Sequence, residues 1–402
     1  MSVSFHNPDQ YMASLRTIIA QGRKRIGLLV GAGAPAGMAR ADGSRPLIPA
    51  VAGLTDQVLA AIAPIYAVQI LGLKGDLERH DIETLLSRIR SLSSVIGKTK
   101  VHGLDGDGYK KMAEAICAEI GGIVKVRLPA NQTPYSELVS WITGAPRAHA
   151  VEIFTTNYDL LFEEAFERAK APYFDGFTGA REAFFDPASV SSDQLLPRWT
   201  RLWKVHGSLG WKANEEGEVV RTGQYDATHL IFPEHLKYDQ TQKAPYSALL
   251  ERLRTFLTIE DTLLISIGFS YADAHITDRI SEALDANPAA SVFAFQFQNL
   301  DKEVYAAKLA SRRSNFSVYA RDKAVVSGVA AEWKAPRDLP TKDWGPIRDS
   351  YWSAPSGGTN GGFKLGAIED FTRFFASSRS PQAFDVPAAS ETPSVSSSSN
   401  VA

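Results

Sequence analysis

Residues 151–159 read Val-Glu-Ile-Phe-Thr-Thr-Asn-Tyr-Asp. Val151 to Thr155 is an apolar run rich in β-branched residues and predicts a buried strand. A helical pattern starts directly behind it, with Leu160, Leu161, Ala165, Phe166 and Ala169 at helical spacing. Asp159 falls in the first turn of that helix, where a carboxylate suits the free N–H groups and the positive helix end. Strand, polar turn and helix in that order form the unit of an open α/β sheet. Such sheets bind ligands just past the carboxyl ends of their strands. Asn157 and Asp159 are therefore candidate site residues: the amide can donate and accept, and the carboxylate can meet a ligand or simply cap the helix.

Three other stretches share the design. Gly27–Ala36 reads Gly-Leu-Leu-Val-Gly-Ala-Gly-Ala-Pro-Ala, a strand running into Gly31-Ala32-Gly33-Ala34. Without bulky side chains, a loop like this lets backbone N–H groups approach a pyrophosphate. A tight strand–helix turn asks for the same residues. Position 36 is Ala, with Gly37 after it, so the strict Gly-x-Gly-x-x-Gly fingerprint is absent and hydride transfer is not inferred. Lys204–Ser208 delivers His206 and Gly207 at a strand end. An imidazole there has a pKa suited to a general base, and Ser208 can orient it or contact a ribose. Ile265-Ser266-Ile267-Gly268-Phe269-Ser270 is a strand followed by Gly-x-Ser, and Asp273 and His275 open the next helix. Asp273 is a candidate ligand-binding residue, with helix capping its plain reading, and a structural role is the plain reading of His275.

The chain has 402 residues, 44% hydrophobic and 22% charged, and a net charge of −2. These values suit a globular chain with a sizeable core and give no sign of a nucleic-acid surface. Apolar runs read as strand-length, so no transmembrane helix is expected. The N-terminus lacks a basic and then apolar leader, so no secretory signal is expected. Cys117 is the single cysteine, which rules out an intrachain disulfide and fits a reducing cytoplasm. The eight histidines show no paired metal spacing.

Along the chain, residues 8–24 predict a helix and Ile26–Val30 the first strand. Residues 31–48 read as a mobile loop able to fold over a ligand. A helix follows from about Ala50 to Ile62, and residues 64–150 read as a mostly helical insert, clearest at Asp81–Ile89. Residues 171–200 read as irregular, and a turn at Asn214–Gly217 suggests a hairpin. Strands at Leu202–Val205, Thr262–Ile267, Ser291–Phe297 and Phe316–Tyr319 alternate with helices. That order predicts a Rossmann-like, doubly wound parallel sheet. One α/β domain over residues 1–325 is expected, then an extension over 326–376 packing on it. The Ser/Pro/Ala/Thr-rich residues 377–402 read as a disordered tail.

Gly31-Ala32-Gly33, Thr155-Thr156-Asn157-Tyr158-Asp159, His206-Gly207 and Gly268-Phe269-Ser270, in this order, resemble the Sir2 (sirtuin-like) family. The resemblance covers roughly residues 10–325. It implies NAD as the ligand, Asn157 and His206 as catalytic residues, and Gly268 and Ser270 on the adenosine side. Gln296 falls near the position where sirtuins use Asn for the adenine ribose. Sirtuin deacylases carry a zinc module held by four cysteines. A single cysteine cannot build one, so this chain has kept the cofactor half of the pattern and lost the zinc half. Ile82-Glu83-Thr84-Leu85-Leu86 is similar to a helix in the Sir2-like proteins of bacterial antiphage defence. That likeness implies an NAD+ glycohydrolase, gated by self-assembly into a homo-oligomer or by a partner such as a HerA-type hexameric ATPase. An NAD- or ADP-ribose-binding subunit and a protein deacylase are the other readings.

Overall fold

The computed structural model describes residues 4–180, 182–223, 244–354 and 361–378. The expected disordered tail lies almost wholly outside these residues. Fourteen strands define the architecture: β1 Phe5–His6, β2 Arg25–Val30, β3 Glu152–Thr155, β4 Tyr173–Phe174, β5 Phe177–Thr178, β6 Ala183–Phe185, β7 Thr200–Lys204, β8 Trp211–Ala213, β9 Val219–Arg221, β10 Thr262–Ile267, β11 Ser291–Phe295, β12 Phe316–Tyr319, β13 Lys323–Val326 and β14 Val329–Trp333. Ten of them form one sheet in the order β1-β14-β13-β12-β11-β10-β2-β3-β7-β4. Its strands are parallel except at β12-β13 and β13-β14. This is the expected mixed α/β fold with a large, mostly parallel central sheet.

From β2 the chain runs outward through β3 to β7 and β4. It then returns to the other flank of β2 as β10 and continues to β11 and β12. The strand order thus reverses between β2 and β10, the switch point where open α/β sheets open a crevice. Alternate residues of β2 and β3 face opposite cores, as the pleat requires: Leu28 and Ile153 face one cluster, Leu29 and Phe154 the other.

Several local expectations change. After the helices α1, Pro8–Gln21, and α2, Gly33–Ala36, the helix α3, Val51–Asp76, runs well past Ile62, with Pro64 inside it and non-helical dihedrals at Tyr66. Pro64 bends the helix without ending it. The apolar run there is consequently helix-length, long and apolar enough to cross a membrane by length and composition. The segment after β2 is packed: it holds a short helix at Gly33–Ala36, and Met38, Leu47 and Ile48 are buried. Residues 171–200 supply β4, β5 and β6, and β5-β6-β9-β8 form a small antiparallel sheet whose β8-β9 pair is the expected hairpin. The main sheet also continues past residue 325, because β13-β14 add a hairpin that carries β1 at its edge. The insert is helical as read: α3 packs on α4 (Ile82–Val95) and α5 (Gly106–Val124).

Candidate active site

Ile267 pairs with Val30, Val30 with Thr155, and Thr155 with Lys204. The four motif loops therefore leave four neighbouring parallel strands at one level of the sheet, on both sides of the switch point. Neighbouring strands lie about 4.8 Å apart. Asn157 and His206 each stand two residues beyond the paired Thr155 and Lys204, at the carboxyl ends of neighbouring strands.

The turn after β3 is held from several sides. The Asn157 N–H donates to Thr155 Oγ1 at 3.1 Å, and its side-chain Nδ2 donates to the Gly31 carbonyl at 3.2 Å. Asn157 Oδ1 is buried and has no well-aligned hydrogen-bond partner; the buried Tyr135 hydroxyl, likewise unpartnered, lies close to the Asn157 side chain. Asp159 Oδ1 accepts from the Leu161 N–H at 3.1 Å, in a turn just ahead of the helix Leu161–Arg168, whose cap position is Leu160. Burial raises the Asp159 pKa against the pull of Lys204. Lys204 itself is buried; its Nζ donates to the Asp159 carbonyl and, at 3.1 Å, to Glu163 Oε1. Asp159 thus shapes the turn and belongs to a buried Lys204–Glu163 cluster beneath Asn157. Sequence reasoning gave Lys204 no part in this.

His206 is buried at the end of β7, and its Nδ1 has no hydrogen-bond partner. Nε2 lies 2.9 Å from Asp273 Oδ2. The distance is that of an ion pair, although Oδ2 gains no well-aligned hydrogen bond. Burial works against a charged imidazole, but Asp273, helped by Glu83, outweighs it and raises the His206 pKa. Burial pushes the Asp273 carboxyl up, yet His206 holds it below the ordinary value. Asp273 also acts as a helix cap, since its Oδ1 accepts from the His275 N–H at 2.9 Å at the start of the helix Ala274–Ala286. The capping reading of Asp273 therefore holds in geometry. His275 is exposed.

Glu83, near the start of α4, is the residue sequence reasoning did not assign. Its carboxyl lies close enough to His206 and Asp273 to interact with both charges. Burial raises its pKa; His206 opposes that, and Asp273 and Asp81 add to it. The Ile-Glu-x-Leu-Leu pattern flagged the helix, but nothing in it tells a site residue from an outward-facing glutamate.

The glycine loop has a structural reason of its own. A Cβ on Gly31 would stand 2.4 Å from the Gly268 carbonyl oxygen, and one on Gly33 would stand 2.8 Å from Gly268 Cα. Gly268 has φ +66°, and a Cβ there would meet Ala34 N at 2.4 Å. The Gly31 N–H donates to Ile267 O, the Gly33 N–H to Gly268 O and the Ala34 N–H to Gly31 O. Three of the four N–H groups of Gly31-Ala32-Gly33-Ala34 are thus spent inside the protein, and only that of Ala32 is left to reach a pyrophosphate. Ser270 is exposed beside this loop and accepts weakly from the Ala272 N–H at 3.4 Å. Gln296 is buried, and its Nε2 donates to the Phe269 carbonyl at 3.0 Å, bracing the Gly268-Phe269-Ser270 turn. Ser208 is buried next to His206. No group of three or more His, Cys, Asp or Glu suited to a metal ion occurs among the described residues.

No curated protein matches the chain. Solved structures do: 44 chains are similar. One, titled "Structural Basis for the Mechanism and Regulation of Sir2 Enzymes", shares 14% identity over 71% of this chain and 85% of that chain, at a TM-score of 0.33. A likeness that loose has no bearing on chemistry. Residues 151–317 match the family described as SIR2-like domain. The matched segment, less than half of the chain, begins with β3 and contains Asn157, His206, Gly268 and Asp273.

Proposed function

We propose that this chain is an NAD+ glycohydrolase, cleaving NAD+ to nicotinamide and ADP-ribose. Two buried polar atoms carry the reading: Asn157 Oδ1 and His206 Nδ1 lie at adjacent strand ends and lack protein partners. Buried polar groups are almost always paired, so these orphans at adjacent strand ends, with the unpartnered Tyr135 hydroxyl beside Asn157 and Asp273 Oδ2 beside His206, fit a polar ligand such as a ribose and an attacking water. In the proposed reaction the bond between nicotinamide and ribose C1 breaks. Its electron pair leaves on the ring nitrogen, and the ribose carries oxocarbenium character. Water adds its oxygen to C1 and yields a proton, which His206 accepts directly or through a ribose hydroxyl. Asn157 places the water, and Asp273 keeps the imidazole aligned and stabilises its charged form. Water as nucleophile, in place of an acyl-lysine, agrees with a chain whose single cysteine cannot supply a four-thiolate zinc module.

An enzyme that empties its host's NAD must be held in check. We place this chain among effectors of antiphage defence, with the gate in self-assembly or in a separate HerA-type ATPase; the support is the sequence resemblance. The test is NAD loss by the purified chain, alone and with the product of its neighbouring gene, for the native protein, Asn157→Ala and His206→Ala. Loss that falls at least ~100-fold in both variants, the scale of a lost acid–base or orienting group, supports the reading. NAD that stays intact even in the full assembly overturns it in favour of a subunit that only binds NAD or ADP-ribose. Release of lysine from acylated peptides overturns it in favour of a deacylase.

A further inference from the structure

We propose that Tyr135 is a positioning residue of the site, whose hydroxyl oxygen fixes the Asn157 amide so that only Oδ1 is offered to a ligand. The inference rests on the proposed role of Asn157 and adds a residue to it. Tyr135 is the second residue of the helix α6, Pro134–Thr143. The start of α6 is fixed by a reciprocal pair: the Thr133 N–H donates to Ser136 Oγ at 2.8 Å, and the Ser136 N–H to Thr133 Oγ1 at 3.2 Å. The Tyr135 ring stands edge-on to that of Phe162, with centroids 4.6 Å apart. Phe162 belongs to α7, Leu161–Arg168, the helix that follows the Asn157 turn. Cap and ring contact thus carry the hydroxyl to the Asn157 side chain, where it is buried and has no well-aligned partner.

The amide and the phenol complete each other. A primary amide has two N–H donors and one oxygen. Asn157 Nδ2 spends one donor on the Gly31 carbonyl at 3.2 Å. The hydrogen bond from Asn157 lowers the Tyr135 pKa, the sign of an N–H donated to the phenol oxygen. Both amide hydrogens are then taken by the protein, and a flipped amide would set two oxygens against each other at Gly31. Oδ1 is left as the free atom, and Asn157 meets its ligand as an acceptor. A water that donates one hydrogen to Oδ1 keeps a lone pair for ribose C1. Burial, and after it the Asp159 and Glu163 carboxyls, raise the Tyr135 pKa well above its ordinary value despite Asn157. The phenol therefore stays neutral, and its own hydrogen is left to those carboxyls, of which Glu163 Oε2 has no partner either.

The experiment is Tyr135→Phe in the full chain, with its partner present where activity needs one. The ring and its contact with Phe162 stay; only the oxygen goes. A fall in kcat of about five- to ten-fold is expected, with KM changed less than about two-fold and an unchanged thermal melt. Placed on Asn157→Ala, the same substitution should lower kcat no further, because there is no amide left to orient. An unchanged kcat in Tyr135→Phe overturns the inference. A fall of equal size on both backgrounds, or one matched by a lowered melting temperature, assigns the hydroxyl to packing and overturns it too. A native chain that leaves NAD intact removes the glycohydrolase reading, and the inference is then decided by calorimetric titration with ADP-ribose. Tyr135→Phe should weaken that binding about five-fold on the native background and not on Asn157→Ala. Equal weakening on both, unchanged affinity, or no binding by the native chain overturns it.

Discussion

His206 sits between two carboxyl groups, and pH is where their influence can be read. Its folded-state pKa is raised by Asp273 and Glu83 against burial. A base must be neutral to accept a proton, so the acid limb of activity is expected above the ordinary histidine value of about 6.5. Asp273→Asn keeps the helix cap, because asparagine caps as well as aspartate, and removes only the charge. It should move that limb down by about one pH unit, the low end of the shift from a nearby opposite charge. Glu83→Gln should move it the same way by less. The sign for stability follows from the same shift. A raised pKa adds stability that is fully present below about pH 6.5 and fades as pH rises through the folded value. The melting difference between native protein and Asp273→Asn should therefore be largest near pH 6 and smallest near pH 9; a difference that grows with pH would show that the pair is not ionic. Asn157 and His206 were legible because each closes its own strand. Glu83 and Lys204 were not, because their roles arise only when distant elements pack together.

Elements meet most tightly where the loops after β2 and β10 touch. Gly268→Ala puts a Cβ at φ +66° and 2.4 Å from a backbone nitrogen. The left-handed backbone alone costs about 1–3 kcal/mol in a non-glycine residue, and the contact forces the two loops apart. A lowered urea midpoint together with lowered activity is expected. Gly75→Ala is the contrast: nothing lies within 4 Å of its Cβ position on α3. It should be neutral or gain up to about 1 kcal/mol from helix propensity. Equal losses in the two variants would mean that the close approach is not what constrains Gly268. Strands β2, β3, β7, β10, β11 and β12 were legible within one or two residues, because buried parallel strands are continuous apolar runs. The length of α3 was hidden by Pro64, which reads as a stop. The small sheet β5-β6-β9-β8 was hidden by its brevity, since strands of two or three residues have no period to detect.

Across the whole molecule the sheet has two unlike edges. Its carboxyl edge holds the orphaned polar atoms of the site. Its amino edge holds a buried charge cluster in which every oxygen of Glu152 is used. Glu152 accepts from Trp203 Nε1 at 2.7 Å and Arg252 Nε at 2.8 Å, and it pairs with Arg201 at 3.0 Å. Asp193 joins through Arg25, Arg201 and Arg252. Glu152→Ala leaves the buried Arg201 and Arg252 with the partly exposed Asp193 as their one carboxylate partner and should cost about 3 kcal/mol, lowering the melting temperature while the pH profile of the surviving folded protein stays in place. A shifted profile would show that the two edges are coupled. The α/β architecture was legible from the alternation of strands and helices. That the main sheet continues through β13 and β14 was not. The pairing of Lys323–Val326 with Val329–Trp333 depends on a hairpin turn at Ser327 and Gly328, where φ is positive, rather than on a strand–helix rhythm.

The contact between Gly31, Gly33 and Gly268 joins the first and third quarters of the chain, and this sets an order in time. A ribosome that has made the chain through His206 has already issued Asn157, the histidine and the glycine loop. It has not issued β10, the turn that backs that loop, or the aspartate that fixes the charge on His206. Pairing between such distant strands is the slow part of folding. An unfinished chain therefore holds the reactive residues without the wall that organises them. For an enzyme of the proposed kind, that order of synthesis is a safety catch: NAD is spared at the site of translation until the third quarter of the chain has been made.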